Sequence, residues 1–237
     1  MLHLDSAWIP HQQGNALYIR LTMIGTGTAI GVHEPKDALL YVICSPCHPY
    51  YNNELNLLVT EEYTRSYYNG TGEFKIGPNY SPCLLYQKEA NLHGFDQNLW
   101  IFNNDITEAG TMNIFVQWIN ELGNEKVSTP LANGLILPGI VRDSVIQLIR
   151  TFSKVPVIEE NININLLINA IEQKRVKCIF GTGTAATIVS ITGIGYRSNT
   201  YRIENYDESL IKAIYTKLCN IQQGKIKFKD WIHAVRS

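Results

Sequence analysis

Residues 176–191 read Val-Lys-Cys-Ile-Phe-Gly-Thr-Gly-Thr-Ala-Ala-Thr-Ile-Val-Ser-Ile: two short apolar runs, Val176 to Phe180 and Ala186 to Ile191, on either side of a Gly-Thr-Gly-Thr turn. Branched residues in runs of this length, bounded by glycine, predict strands. Just upstream, Asn163 to Lys174 places Leu166, Leu167, Ala170 and Ile171 at helical spacing. Downstream, Asp207 is a good N-cap for a last helix with Leu210, Ile214, Leu218 and Ile221 on its buried side. Helix, strand, strand, helix in succession from Asn163 to Ile221 defines a mixed α/β class.

Working outward from this stretch, Pro138-Gly139 opens a helix carrying Val141, Val145, Leu148 and Ile149 on one face. Leu99 to Phe102 and Met112 to Ile119 are strand-like and separated by the turn Asn103-Asn104-Asp105, which fits a hairpin or neighbouring strands. Ser81 to Leu92 fits a helix and follows a mostly polar stretch. Nearer the start, Leu17 to Ile24 reads as a strand, and the continuous apolar run Ala38 to Ser45 predicts a strand buried on both faces. No repeat, low-complexity tract or clear linker interrupts the chain.

With 45% apolar residues over 237 positions, the chain can bury a sizeable core. Twenty basic and 21 acidic residues, without a block of either sign, give no footprint for nucleic acid or an anionic membrane, so small molecules or protein surfaces are the expected partners. The longest apolar stretch, Ala38 to Cys44, is too short to span a bilayer, and the N-terminus lacks the pattern of a secretory signal. A soluble intracellular protein is expected, and five cysteines without a pairing pattern suit a reducing compartment.

Three Gly-Thr-Gly units occur, at 25–27, 70–72 and 181–183, each weak evidence for a phosphate cradle. The first follows a strand, but Ile30 stands where a dinucleotide fingerprint needs glycine. Cys44-Ser-Pro-Cys47 is one Cys-x-x-Cys pair; buried, inert thiols are the simpler reading beside a redox pair. Six scattered histidines offer no metal-ligand spacing. The run Thr71-Gly-Glu-Phe-Lys75-Ile-Gly-Pro-Asn-Tyr80 differs in kind, because a lysine among small residues and near a tyrosine suits Schiff-base chemistry if it is desolvated.

Taken with Thr107-Glu-Ala-Gly-Thr-Met-Asn113, Leu137-Pro-Gly-Ile-Val-Arg142 and Phe180-Gly-Thr-Gly-Thr-Ala185, this run resembles the branched-chain amino acid aminotransferases of pyridoxal-phosphate fold type IV. The resemblance extends from Trp8-Ile-Pro through Leu17-Tyr-Ile-Arg20 to Asp230-Trp231. It implies a large C-terminal pseudo-barrel domain, with residues 1–45 ending the N-terminal domain and linking it to a cofactor-binding domain over 46–237. It implies amino transfer from leucine, isoleucine or valine to 2-oxoglutarate, in a homodimer of the cytosol or mitochondrion that binds neither nucleic acid nor membrane. Val32 falls in a segment resembling the one that reaches toward the partner's pocket.

By that resemblance Lys75 would carry pyridoxal 5'-phosphate and act as the catalytic base. Tyr80 would donate to the cofactor's phenolic oxygen, and Glu108 would lie beside its pyridine nitrogen. Ile140 and Val141 would offer backbone N–H groups to the phosphate at a helix N-terminus, with the Thr184 hydroxyl. Thr111 and the backbone around Ala185 and Ala186 would hold the substrate carboxylate, and Tyr18 and Arg20 would line the substrate side. Full-length relatives carry a smaller preceding domain with an arginine for the phosphate, which these residues do not include. Leu21 stands where relatives usually have proline, and Pro78 and Ser81 replace glycines around Asn79-Tyr80. A D-amino-acid transaminase, an aminodeoxychorismate lyase or a non-catalytic relative are the competing readings.

Overall fold

A computed structural model describes residues 4–12, 14–28, 30–48 and 54–233. The described residues divide into two compact units, the first up to residue 48 and the second from 54 to 233.

In the first unit, β1 (Ala16–Gly25) and β2 (Ala38–Cys47) pair antiparallel, in register from Ala16 opposite Cys47 to Gly25 opposite Ala38. The expectation of a β2 buried on both faces is corrected here. Leu39, Leu40 and Ile43 are all at least half exposed, because a two-stranded ribbon has no third layer of its own to cover either face. Cys44 and Cys47 are half-buried rather than buried. Three residues apart on a strand, they point to opposite faces, against their acting as a redox pair.

The second unit is built on a nine-stranded sheet. Along its main path run β5 (Asp105–Ala109), β4 (Gln97–Phe102), β3 (Leu55–Thr60), β10 (Thr187–Tyr196), β9 (Val176–Gly183), β6 (Asn113–Ile119), β7 (Glu125–Thr129) and β8 (Val157–Glu159), while β11 (Asn199–Arg202) pairs with β10. β3 lies inside the stretch read as mostly polar. Its alternate Leu55, Leu57 and Val59 are buried, the two-residue period of a half-covered strand. The turn Asn103-Asn104 joins β4 to β5, both asparagines taking positive φ (50° and 65°), as a two-residue type I′ hairpin requires. The strand following that turn is thus β5, which overlaps the start of the Thr107–Asn113 motif.

β5 and β6 stand five positions apart in the sheet, yet only Gly110-Thr111 separates Ala109 from Met112, which exchange both backbone hydrogen bonds at 2.9 Å. A flat sheet cannot meet both conditions, so the six strands from β5 to β6 curl back on themselves into a half-barrel. Gly110, at φ +58°, occupies the first central position of this turn.

Four helices cover the sheet: α1 (Cys83–Leu92), α2 (Ile140–Phe152), α3 (Ile164–Glu172) and α4 (Ser209–Gln222). Along β6, Ile114 and Val116 join one core with Leu57, Leu99, Ile179, Ile194 and the α3 side chains Leu167 and Ile168. The intervening Phe115 faces the other core, with Phe180, Cys178, Val145 and Leu148 of α2, and Ile214 and Leu218 of α4. Phe115 and Phe180 are register partners and stack with ring centroids 4.9 Å apart, worth about 0.5–1.5 kcal/mol beyond their burial. The last helix starts at Ser209, its N–H bonded to the Asp207 carboxylate at 2.9 Å, so the expected capping side chain serves one residue ahead of the assigned cap.

A methyl group at Gly110 would meet the Gln97 side chain as well as an unfavourable φ, whereas Gly94, at φ +81° behind α1, faces open space. Gly110→Ala is therefore expected to lose about 1–3 kcal/mol more stability than Gly94→Ala in urea unfolding; equal losses would contradict the tight β5–β6 closure.

Candidate active site

The hairpin register that closes the half-barrel also builds the site. With Ala109 opposite Met112, the next pair outward is Glu108 and Asn113, and the Asn113 amide donates to Glu108 Oε1 at 3.2 Å. The same amide donates to the Leu137 carbonyl at 2.7 Å, while the Leu137 N–H donates to Glu108 Oε1 at 3.0 Å. The segment entering α2 is thereby tied to the hairpin. Gly139 allows the close approach, since a Cβ there would run into the Asn113 side chain.

Glu108 is buried, and its other oxygen pairs with Arg65 Nε at 2.6 Å. Arg65 Nη1 donates to the carbonyls of Gly72 (3.2 Å) and Leu135 (3.3 Å). Sequence reasoning missed Arg65: nothing about an arginine in a polar stretch marks it as the partner of a carboxylate 43 positions later. The only available signal was the general rule that a buried carboxylate needs a cation.

Between Gly72 and Tyr80 the chain folds over Asn79, whose amide donates to the carbonyls of Thr71 (2.6 Å) and Phe74 (2.7 Å) and whose oxygen accepts from the Thr71 hydroxyl (2.8 Å). This pin presents Lys75, and Lys75 Nζ donates to the Tyr80 hydroxyl at 2.9 Å. Pro78 sits within a 3-10 turn, Gly77–Asn79, that suits its fixed φ, so the departure from glycine there is accommodated. The Arg65 guanidinium lies 5.9 Å from the centre of the Tyr80 ring, which connects this loop to the Glu108 pair.

Helix α2 begins at the same place. Its N-cap is Gly139, without a capping side chain, and its first backbone bond runs from the Asp143 N–H to the Gly139 carbonyl. The N–H groups of Ile140, Val141 and Arg142 thus lack helical acceptors, and Ile140 is exposed. Because β6 begins where β9 ends, with Asn113 opposite Thr182, the turn containing Thr184, Ala185 and Ala186 lies at the same end of the sheet as Thr111. Met112 against Gly181 and Gly183 fastens the two turns together. Lys75, Tyr80, Glu108, Thr111, Ile140, Val141, Thr184, Ala185 and Ala186 are therefore gathered at one edge of the second unit. Tyr18 and Arg20 lie on one face of β1 in the first unit, the guanidinium 5.2 Å from the tyrosine ring centre.

Burial pushes the Glu108 carboxyl up to about 7, against the opposing pull of Arg65, the Leu137 N–H and Lys75. Burial also raises the Cys83 thiol, which feels the charges of Arg65 and Glu108.

A lysine beside a tyrosine, a buried carboxyl held on strand residues and an uncapped helix start fit an aromatic cofactor with a phosphate tail. The matching family model is amino-transferase class IV, over residues 6–194, and the chain belongs to that family, whose members use pyridoxal phosphate. It is 39% identical to the cytosolic branched-chain-amino-acid aminotransferase of Mus musculus over 98% of this chain and 62% of that protein. It is 40% identical to the branched-chain-amino-acid aminotransferase of Dictyostelium discoideum over 96% of this chain and 62% of that protein. The chain thus spans about three fifths of these relatives' length. The fold matches the branched-chain amino acid aminotransferase of Thermobaculum terrenum, solved in its PLP form, with TM-score 0.69 and 19% identity over 90% of this chain and 65% of that one. This is the fold type IV architecture. No helix among the described residues is long and apolar enough to cross a membrane.

Because the folded chain holds the Glu108 proton more tightly than the unfolded chain, the resulting stabilisation is full below about pH 4.5 and is lost as pH rises through about 7. Unfolding of the wild type and of Glu108→Gln followed from pH 4 to 8 should show the wild type losing roughly 3 kcal/mol relative to the variant. Parallel curves would contradict the burial account.

Proposed function

We propose that this chain, with residues 46–237 as the cofactor-binding domain, is the large part of a branched-chain amino acid transaminase that moves the amino group of leucine, isoleucine or valine to 2-oxoglutarate. The observation that carries the reading is the hydrogen bond from Lys75 to Tyr80, set beside the buried Glu108 and the uncapped start of α2. The relatives named above support the substrate class.

Pyridoxal phosphate, once bound, supplies an electron sink for negative charge developing at the substrate α-carbon. Lys75 would hold the cofactor and, freed from it by the substrate amine, use Nζ to move the α-carbon proton. Tyr80 orients that nitrogen before the reaction and offers its hydroxyl to the cofactor's phenolic oxygen. Glu108 would face the pyridine nitrogen, where a protonated ring adds positive charge beside a carboxyl that burial has pushed up and so draws it back to the ionised form. The Ile140 and Val141 N–H groups and the Thr184 hydroxyl would take the phosphate, helped by the positive end of the α2 dipole. Thr111 and the backbone at Ala185 and Ala186 would receive the substrate carboxylate, with Tyr18 and Arg20 on the substrate side. The working assembly is proposed to be a homodimer, in the cytosol or the mitochondrion.

The full chain purified with pyridoxal phosphate should show a near-visible absorption band that L-leucine discharges and that Lys75→Ala abolishes. Absence of the band in the wild type would leave Lys75 a relic of descent, and discharge by D-leucine alone would move the reading to a D-specific class IV enzyme.

A further inference from the structure

Arg65 has no part in the reading above, yet its environment is tightly constrained. Its side chain is 1% exposed, and of its three nitrogens Nε serves Glu108, Nη1 serves two carbonyls, and Nη2 is buried with no partner. Those carbonyls belong to Gly72, at the base of the loop presenting Lys75, and to Leu135, on the segment that leads into α2. The Ser66 hydroxyl adds a second bond to the Leu135 carbonyl, at 2.5 Å. A side chain placed only to fill space would not need three directed bonds to three separate segments.

We infer that Arg65 is a positioning residue acting through Glu108, orienting that carboxyl and favouring its ionised form while clamping the Lys75 loop to the segment that opens α2. The groups facing Glu108 from the elements packed around it are Arg65 and Lys75 from the loop, Cys83 at the start of α1, Asn113 on β6 and the Leu137 N–H. Of these, only Arg65 brings a full opposite charge into direct contact. Removing it leaves Glu108 with neutral donors and the more distant ammonium of Lys75, so the protonated carboxyl gains ground.

The inference rests on the transaminase reading only for its catalytic consequence; the ionisation of Glu108 can be followed without cofactor. In the full chain carrying carboxyl-labelled glutamate, Arg65→Met should move the Glu108 titration midpoint up by roughly one pH unit or more, and Arg65→Lys should recover part of that rise. A folded Arg65→Met with an unmoved midpoint overturns the inference. Should that variant not fold, the wild type still decides: the Arg65 Nε resonance should shift with the same midpoint as Glu108, and an Arg65 signal indifferent to that titration overturns it equally. Where the cofactor band forms, Arg65→Met should lower kcat tenfold or more with Arg65→Lys intermediate, whereas an absent band in the wild type would defeat the transaminase reading and leave the Glu108 result standing.

Discussion

The pair formed by Arg65 and Glu108 fixes the arrangement of everything around it. Burying either charge alone would cost several kcal/mol, and together they are tolerable only while every remaining donor and acceptor finds a partner. That requirement brings three chain segments together: the loop from Arg65 to Tyr80, the β5–β6 hairpin, and the residues from Leu135 to Gly139 that open α2. Asn113 completes the set by answering both Glu108 and Leu137. One Arg65 nitrogen remains unanswered among the described residues, so the network is nearly but not wholly satisfied.

The curled sheet supplies the rigid frame for this network. The residues at this edge come from positions as distant as Arg65 and Ala186, most at a strand end, a turn or a helix start and Arg65 and Lys75 in the loop after β3. The β5–β6 hairpin and the 184–186 turn share one end of the sheet because β6 and β9 run antiparallel with Asn113 opposite Thr182, and the bonds of Arg65 and Leu137 bring the Lys75 loop and the start of α2 to the hairpin. Precision therefore comes from backbone register, which a single glycine in the hairpin turn and another before α2 make attainable.

Much of this was legible in the chain. The helices α2 to α4 and the strands β1, β2, β4, β6, β9 and β10 follow from periodicity or from short apolar runs, whereas α1 forms where expected although Leu84, Leu85 and Leu92 are exposed and only Ala90 on it is buried. β3, β5, β7, β8 and β11 escaped notice, the last three as short strands of three to five residues and the first two for different reasons. Leu55–Thr60 is short and embedded among polar residues, and Asp105–Ala109 holds a carboxylate and a threonine that hide its pattern while their partners lie elsewhere in the sequence. The apolarity of β2 misled in the opposite direction, since composition records a preference for burial and not the layer that would provide it. In the site, Lys75, Glu108 and the glycine turns stood out through motifs that resemble a family, while Arg65 did not, because a buried ion pair is a fact of tertiary structure and leaves no local spacing.

The parallel pairing of β3 with β10, which sets Leu57 beside Ile194, also bears on the order in which the molecule is made. β3, β4 and β5 leave the ribosome long before β10, the strand that completes their neighbourhood, has been synthesised. Until then, one edge of β3 presents unpaired amide and carbonyl groups, and closing so long a stretch of chain carries an entropic cost that local contacts do not offset. Assembly of this unit should therefore be late and concerted, the open edge of β3 remaining the place most able to join another copy until β10 arrives.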